Sequence, residues 1–178
     1  MLTIGTQAPN FTLPDRNGVL HSLSDVETDF TVVYFYPKDD TPGCTIEAVE
    51  MSEALPAFRK QGVSVFGVSG GDNKSKSKFC EKHKLEVTLL TDQEFETAIA
   101  FRAYGDKKFM GRSFKGVFRH TYILDKSKVV LRVFPSVKSQ GHADELLKAI
   151  KELEKELNST PKTKAKIPMK GAGKKFLP

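Results

Sequence analysis

The sequence predicts an α/β domain in which a central mixed sheet is covered by helices on both faces, and three observations carry that reading. Residues 31–36 and 63–69 are continuous β-branched and aromatic runs, the pattern of strands buried on both sides. Each is followed by a segment with helical character. Late in the chain, strand-type runs at 118–124 and 129–134 flank the polar turn Asp125-Lys126-Ser127-Lys128, giving an antiparallel hairpin that closes one end of the sheet.

In chain order, residues 11–13 alternate, Asp15-Arg16-Asn17-Gly18 supplies turn chemistry and 19–23 resumes. An N-terminal β-hairpin is expected there, with Asn17-Gly18 supplying the positive φ angles. The 31–36 strand stops at Pro37, which has no N–H to give a ladder. Asp39-Asp40-Thr41-Pro42-Gly43-Cys44 then reads as a helix start, with Thr41 as N-cap, Pro42 at the first helical position and Glu47 and Glu50 in the opening turns. Ala48, Met51, Leu55 and Phe58 give this helix a core face as far as about Lys60, with Pro56 as a candidate kink. After the 63–69 strand and the Gly70-Gly71-Asp72 turn, 73–84 reads as a polar helix carrying Phe79, Cys80 and His83. Residues 88–90 form a short strand and 94–104 a third helix. An amphipathic final helix covers 141–157, with Leu146, Ile150, Leu153 and Leu157 on one face.

A chain of 178 residues suits one such domain, assigned to 1–158, with 159–178 as a flexible tail. The net charge of +6 belongs to that tail: it holds six lysines and no acid, and without them 22 basic residues face 22 acidic ones. A neutral body argues against a nucleic-acid-binding domain, whose basic residues cluster on the fold itself. The tail is read as a solvated extension; a contact with nucleic acid or an acidic partner, or a nuclear address, is the sharper alternative. No run is long and apolar enough to span a bilayer as a helix, and no secretory signal opens the chain, so a cytoplasmic protein is expected. The absence of a Gly-x-Gly-x-x-Gly or Walker pattern leaves no nucleotide cofactor in prospect.

In a reducing compartment the two cysteines, Cys44 and Cys80, are free thiols rather than a structural staple. Cys44 falls in the first turn of a helix that begins beyond the end of a central strand, where α/β sheets gather their sites. A thiol is nucleophilic only as thiolate, and helix N-terminal N–H groups stabilise an anion. Thr41 stands three residues before it, and Gly43 leaves the approach open. Residue types alone keep two readings for Cys44: a reactive thiol, or a small buried hydrophobe.

The stretch Tyr34-Phe35-Tyr36-Pro37-Lys38-Asp39-Asp40-Thr41-Pro42-Gly43-Cys44-Thr45 resembles the active-site segment of peroxiredoxins, in particular the Q-type or bacterioferritin comigratory protein subfamily. Its Pro-x-x-x-Thr-x-x-Cys pattern is met by Pro37, Thr41 and Cys44. The opening Gly-x-x-Ala-Pro-x-Phe-x-Leu is met by Gly5, Ala8, Pro9, Phe11 and Leu13. The resemblance covers roughly residues 1–157 and implies a thioredoxin-like fold and a peroxidase acting on hydrogen peroxide and organic hydroperoxides. It makes Cys44 the peroxidatic nucleophile, gives Thr41 a hydrogen bond to the thiolate or peroxide, makes Pro37 a shield against water, and places Arg119 as the guanidinium that holds thiolate and peroxide.

The sulfenic acid left on Cys44 must condense with another thiol or be over-oxidised. Many Q-type members carry the second cysteine five residues on; here that residue is Val49. The resemblance to members that resolve from the next helix points to Cys80, with thioredoxin as reductant; a monomer is expected. A disulfide needs Cα atoms within about 7 Å, whereas packed helices lie about 8–10 Å apart, so helix ends are expected to unwind for it. The alternative is an idle Cys80 in a one-cysteine enzyme. Cys80 and His83 have half the spacing of a zinc site, but no other paired histidine or cysteine completes it, and no metal is expected. A second function class is a redox-sensing binding protein or holdase with Cys44 as sensor. A disulfide exchanger is a third, but Cys44 is followed by Thr45-Ile46-Glu47 rather than a Cys-x-x-Cys.

Overall fold

The computed structural model describes residues 1–159. The lysine-rich tail expected beyond 158 lies, apart from Ser159, outside the described residues. The elements are β1 (Thr12–Pro14), β2 (Leu20–Ser22), β3 (Phe30–Phe35), α1 (Pro42–Lys60), β4 (Val63–Ser69), α2 (Asn73–His83), β5 (Thr88–Thr91), α3 (Glu96–Ala100), β6 (Tyr104–Phe109), β7 (Arg112–Val117), β8 (Thr121–Asp125), β9 (Val130–Phe134) and α4 (His142–Ser159). No described helix is long and apolar enough to cross a membrane.

Five strands form one mixed sheet in the order β5-β4-β3-β8-β9. β3, β4 and β5 run parallel, and β8 and β9 pair antiparallel beyond β3. The expected α/β class is therefore found. Every residue of β3 is buried, as its two-sided apolar run requires. Alternation splits its side chains between two cores. Val32, Tyr34 and Tyr36 pack with Met51 and Phe58 of α1, Phe79 and Cys80 of α2, and Leu146, Ile150 and Leu153 of α4. Val33 and Phe35 face the other way, onto Leu2, Phe11, Leu23, Ala98 and Phe101. The second face is thus covered by α3 together with the N-terminal segment rather than by a long helix.

Four local expectations change. In the β1–β2 hairpin Gly18 is left-handed (φ 77°) but Asn17 is not; Asp15 organises the turn instead, its Oδ1 accepting from the Asn17 and Val19 amides. The expected 94–104 helix is only five residues long, because Phe95 at φ 58° starts it late and the chain turns extended at Tyr104. Its first amides are held by Asp92, which accepts from Thr97 and Ala98. β6 and β7 form a separate two-stranded ribbon that the sequence reading missed, turning through Met110 and Gly111, both at positive φ. Phe109, Met110 and Phe114 stand exposed on it. Finally, α2 is better held than a solvated polar helix. Asp72 caps its first turn, Lys84 closes it in the left-handed conformation, and Lys76 is fully buried.

Candidate active site

β3 delivers the chain to Pro37, which is half-buried at the strand's end, and α1 starts five residues later. Pro42 at the first helical position fixes φ without wasting a donor. Thr41 has the extended backbone of an N-cap (φ −93°, ψ 153°), yet its hydroxyl makes no cap bond. It donates to the Lys38 carbonyl at 3.0 Å, closing the loop rather than touching sulfur. Cys44 is thus the third residue of a 19-residue helix, among amides that have no intrahelical acceptor. The position expected from sequence is found, and so is the burial that the alternative reading required: Cys44 is 1% exposed.

Arg119 meets it from the link between β7 and β8. The backbone of that link is fixed on both sides: the His120 carbonyl accepts from the Phe35 amide at 2.8 Å, and the Arg119 carbonyl from the Val137 amide at 2.9 Å. The guanidinium then bridges two residues of α1. Nη2 donates to Cys44 Sγ at 3.2 Å, and Nη1 donates to Glu47 Oε2 at 2.5 Å. Burial opposes Arg119's charge, but Cys44 and Glu47 outweigh it and hold the group more firmly protonated.

Gly43 is required by this closeness. A Cβ there would lie 2.8 Å from Ser139 Oγ and 3.3 Å from Arg119 Nη2, so any side chain would push on the guanidinium.

From sequence Glu47 is only an acid in the opening turns that mark a helix start; its carboxylate is wholly buried and belongs to the site. The available signal was its place: Glu47 shares the buried face of α1 with Cys44, Ala48, Met51, Leu55 and Phe58. Burial pushes its pKa from an ordinary 4.5 up to about 7, against the pull of Arg119. Its second oxygen, Oε1, and the nearby Tyr34 hydroxyl are buried with no hydrogen-bond partner among the described residues.

Cys80 lies in the core on α2, 2% exposed, and both thiols are free. Burial pushes the Cys80 thiol up, while Arg16 from the β1–β2 turn, hydrogen-bonded to it, pulls the other way. The structure brings Cys44 and Arg119 into contact and leaves Cys80 in a separate helix, in the same core cluster.

The loop before Cys44 is fastened to α2 through two aspartates. Asp39 is nearly buried; its Oδ2 accepts from Lys76 Nζ (3.1 Å) and Ser75 Oγ (2.7 Å), and its Oδ1 from the Tyr36 hydroxyl (2.7 Å) and Ser69 Oγ (3.3 Å). Lys76 Nζ donates also to Ser69 Oγ and the Gly70 carbonyl. Asp40, left-handed at φ 56°, binds Lys82 and His83 at the other end of α2, each at 2.8 Å. His83, half of the zinc spacing considered from sequence, spends its Nε2 on that contact.

Residues 4–133 match the family described as AhpC/TSA. The chain is 36% identical over 151 residues to "Peroxiredoxin Bcp" of Escherichia coli (strain K12), covering 85% of this chain and 97% of that protein. A Xanthomonas campestris bacterioferritin comigratory protein, solved in trapped intermediate and ligand complexes bearing on its alkyl peroxide reduction activity, superposes with a TM-score of 0.76. It is 33% identical and the match spans 80% of this chain and 91% of that one. Xanthomonas campestris peroxiredoxin Q, 34% identical with a TM-score of 0.76, matches over 80% of this chain in two cysteine-to-serine mutants, of which it covers 90% and 91%. The altered cysteines of those mutants stand 36 positions apart, the spacing of Cys44 and Cys80.

Proposed function

The chain belongs to the AhpC/TSA family, and on that premise we propose that Cys44 is the thiol that attacks the peroxide, with Arg119 as its electrostatic partner. The fold is that of the thioredoxin-like peroxiredoxins and the protein is a thiol-dependent peroxidase with a disulfide-based cycle. One observation carries the assignment of residues: Arg119 Nη2 lies 3.2 Å from Cys44 Sγ at the start of α1, while Glu47 fixes the other end of the guanidinium.

In the first step Cys44 sulfur attacks one peroxide oxygen, the O–O bond breaks, and the second oxygen leaves as water or alcohol after taking a proton. Negative charge moves from sulfur to the leaving oxygen. A guanidinium already aimed at sulfur serves both ends of that movement without reorganising. Pro37, at the mouth of the loop, keeps water from the sulfur. Thr41 braces the loop through Lys38 and offers its oxygen lone pairs to an incoming hydroperoxide.

In the second step Cys80 resolves the sulfenic acid, and thioredoxin reduces the resulting disulfide. This fits a monomer in the cytosol, where thiols are kept reduced. Hydrogen peroxide and organic hydroperoxides are the substrates. The test is the intact mass of reduced protein after one equivalent of hydrogen peroxide. A loss of two hydrogens with no free thiol is expected. A gain of oxygen on Cys44 with Cys80 free would make it a one-cysteine enzyme, and no change would remove Cys44 from the chemistry.

A further inference from the structure

The two cysteines are 36 residues apart in sequence, in different helices of one core cluster; a disulfide asks for Cα atoms within about 7 Å where packed helices lie about 8–10 Å apart, and on that ground both segments leave their helical positions to form it. Condensation joins Cys80 sulfur to Cys44 sulfur, the S–O bond of the sulfenic acid breaks, and hydroxide leaves with the Cys80 proton as water. What sets the rate of that step is how often the two freed segments meet. Their meeting depends on where each is still rooted.

The sheet provides one pair of roots. Phe35 and Val68 are register partners in β3 and β4. From Phe35 it is nine residues to Cys44, and from Val68 it is twelve to Cys80, so 21 residues of chain would hang free between the sulfurs. The Asp39–Lys76 contact lies inside both arms. It is five residues from Cys44 and four from Cys80, which leaves nine.

The contacts at the two ends of α2 differ in kind. Lys82 and Asp40 are largely exposed, so their bond is screened and easily given up. Lys76 is fully buried, and its ammonium has Asp39, Ser69 and Gly70 as acceptors; removing them would strand a charge out of water. The C-terminal half of α2, with Cys80, therefore opens while the first turn stays attached.

We propose that Asp39 and Lys76 are positioning residues for disulfide formation. Their buried pair is the pivot from which the Cys44 and Cys80 segments both swing, and it persists in the disulfide form. This rests on the reading of Cys80 as the resolving thiol. Effective concentration falls roughly as the −3/2 power of tether length, so shortening the free path from 21 residues to nine raises it about 3.5-fold.

Single-turnover kinetics with hydrogen peroxide on the full chain test this, with sulfenic acid and disulfide followed separately by mass after quenching. Asp39→Asn combined with Lys76→Met removes both charges together. Disulfide formation should slow about 3.5-fold and sulfinic acid at excess peroxide should rise in step, while sulfenic acid forms at the wild-type rate. Asp40→Gly, which suits the left-handed backbone, frees only the outer end of α2 and should speed disulfide formation. If both variants speed it, the two contacts merely hold α2 shut and the pivot is wrong.

Hydrogen exchange on the oxidised wild-type chain decides the matter even if the double variant fails to fold. The amides of Ser75 and Lys76 should stay protected while those of 77–84 lose protection. Loss at 75–76 overturns the pivot. A wild-type chain that forms no disulfide at all would overturn the resolving role of Cys80, and the pivot with it.

Discussion

Replacing Glu47 with glutamine should make the protein more stable at neutral pH, and by an amount that depends on pH. The carboxylate is wholly buried, Arg119 binds one of its oxygens, and the other has no partner among the described residues. Burial wins, and the folded-state pKa stands at about 7 against an ordinary 4.5. Between those values the folded chain holds a proton that the unfolded chain has released. Stability contributed by this group is therefore lost as pH rises from 4.5 to about 7 and is level beyond. At about 1.4 kcal/mol per pH unit, the full penalty is about 3 kcal/mol. Glutamine keeps an acceptor for Arg119 and has no proton to lose, so the variant escapes the penalty. Urea unfolding of reduced wild-type and Glu47→Gln protein at a series of pH values gives the difference directly. It should favour the variant increasingly between pH 4.5 and 7 and then plateau. A difference that is flat with pH, or that turns against the variant as pH rises, would mean that Arg119 fully compensates the buried charge and that desolvation does not govern this site.

Arg119→Met removes the donor to Cys44 sulfur and should lower peroxide reduction by roughly 10²–10³, the usual cost of losing one such electrostatic contact, measured at saturating reductant with circular dichroism as the control for folding. Gly43→Ala should slow turnover by roughly tenfold through displacement of Arg119, and adding Ser139→Ala, which removes the tighter of the two collisions, should restore part of it in the same assay. His142 is buried between Thr121 and Glu145. Burial pushes its pKa below the usual 6.5 although Glu145 pulls the other way, so below pH 6.5 the unfolded chain gains a proton that the folded chain refuses. Stability should fall as pH drops through that range, and the slope should flatten in His142→Gln unfolding curves.

Strands buried on both faces leave continuous apolar runs, which is why β3 and β4 were legible at their observed bounds to within a residue. α1 was legible because a proline start and one apolar face coincide. The β6–β7 ribbon was not, since Lys107, Lys108, Phe109, Arg112 and Lys115 are placed by a turn and by cross-strand bonds rather than by burial, and no alternation records that. At the site, Cys44, Thr41 and Pro37 stood together in one motif. Arg119 needed the family pattern, because 75 residues separate it from Cys44. In the sequence Glu47 is an acid of a helix's opening turns and Lys76 one lysine of a polar helix. Each lies on the core face of its helix, Glu47 three residues after Cys44 and Lys76 four before Cys80, and a charge at a core position implies a buried partner. The partner's identity, in each case, is a matter of tertiary approach that spacing does not encode.

The central place of β3 has a consequence for the protein's survival under oxidant. Residues 31–36 form an uncharged, β-branched and aromatic hexapeptide without proline or glycine, the composition of segments that stack into amyloid. In the proposed cycle it adjoins the loop that opens to form the Cys44–Cys80 disulfide. Partner strands on both edges and packed cores on both faces leave it no free edge, and the proposed Asp39–Lys76 pivot stands between it and the Cys44 segment that swings. The enzyme can loosen its reactive turn repeatedly and still keep its most aggregation-prone segment out of reach of a neighbouring chain.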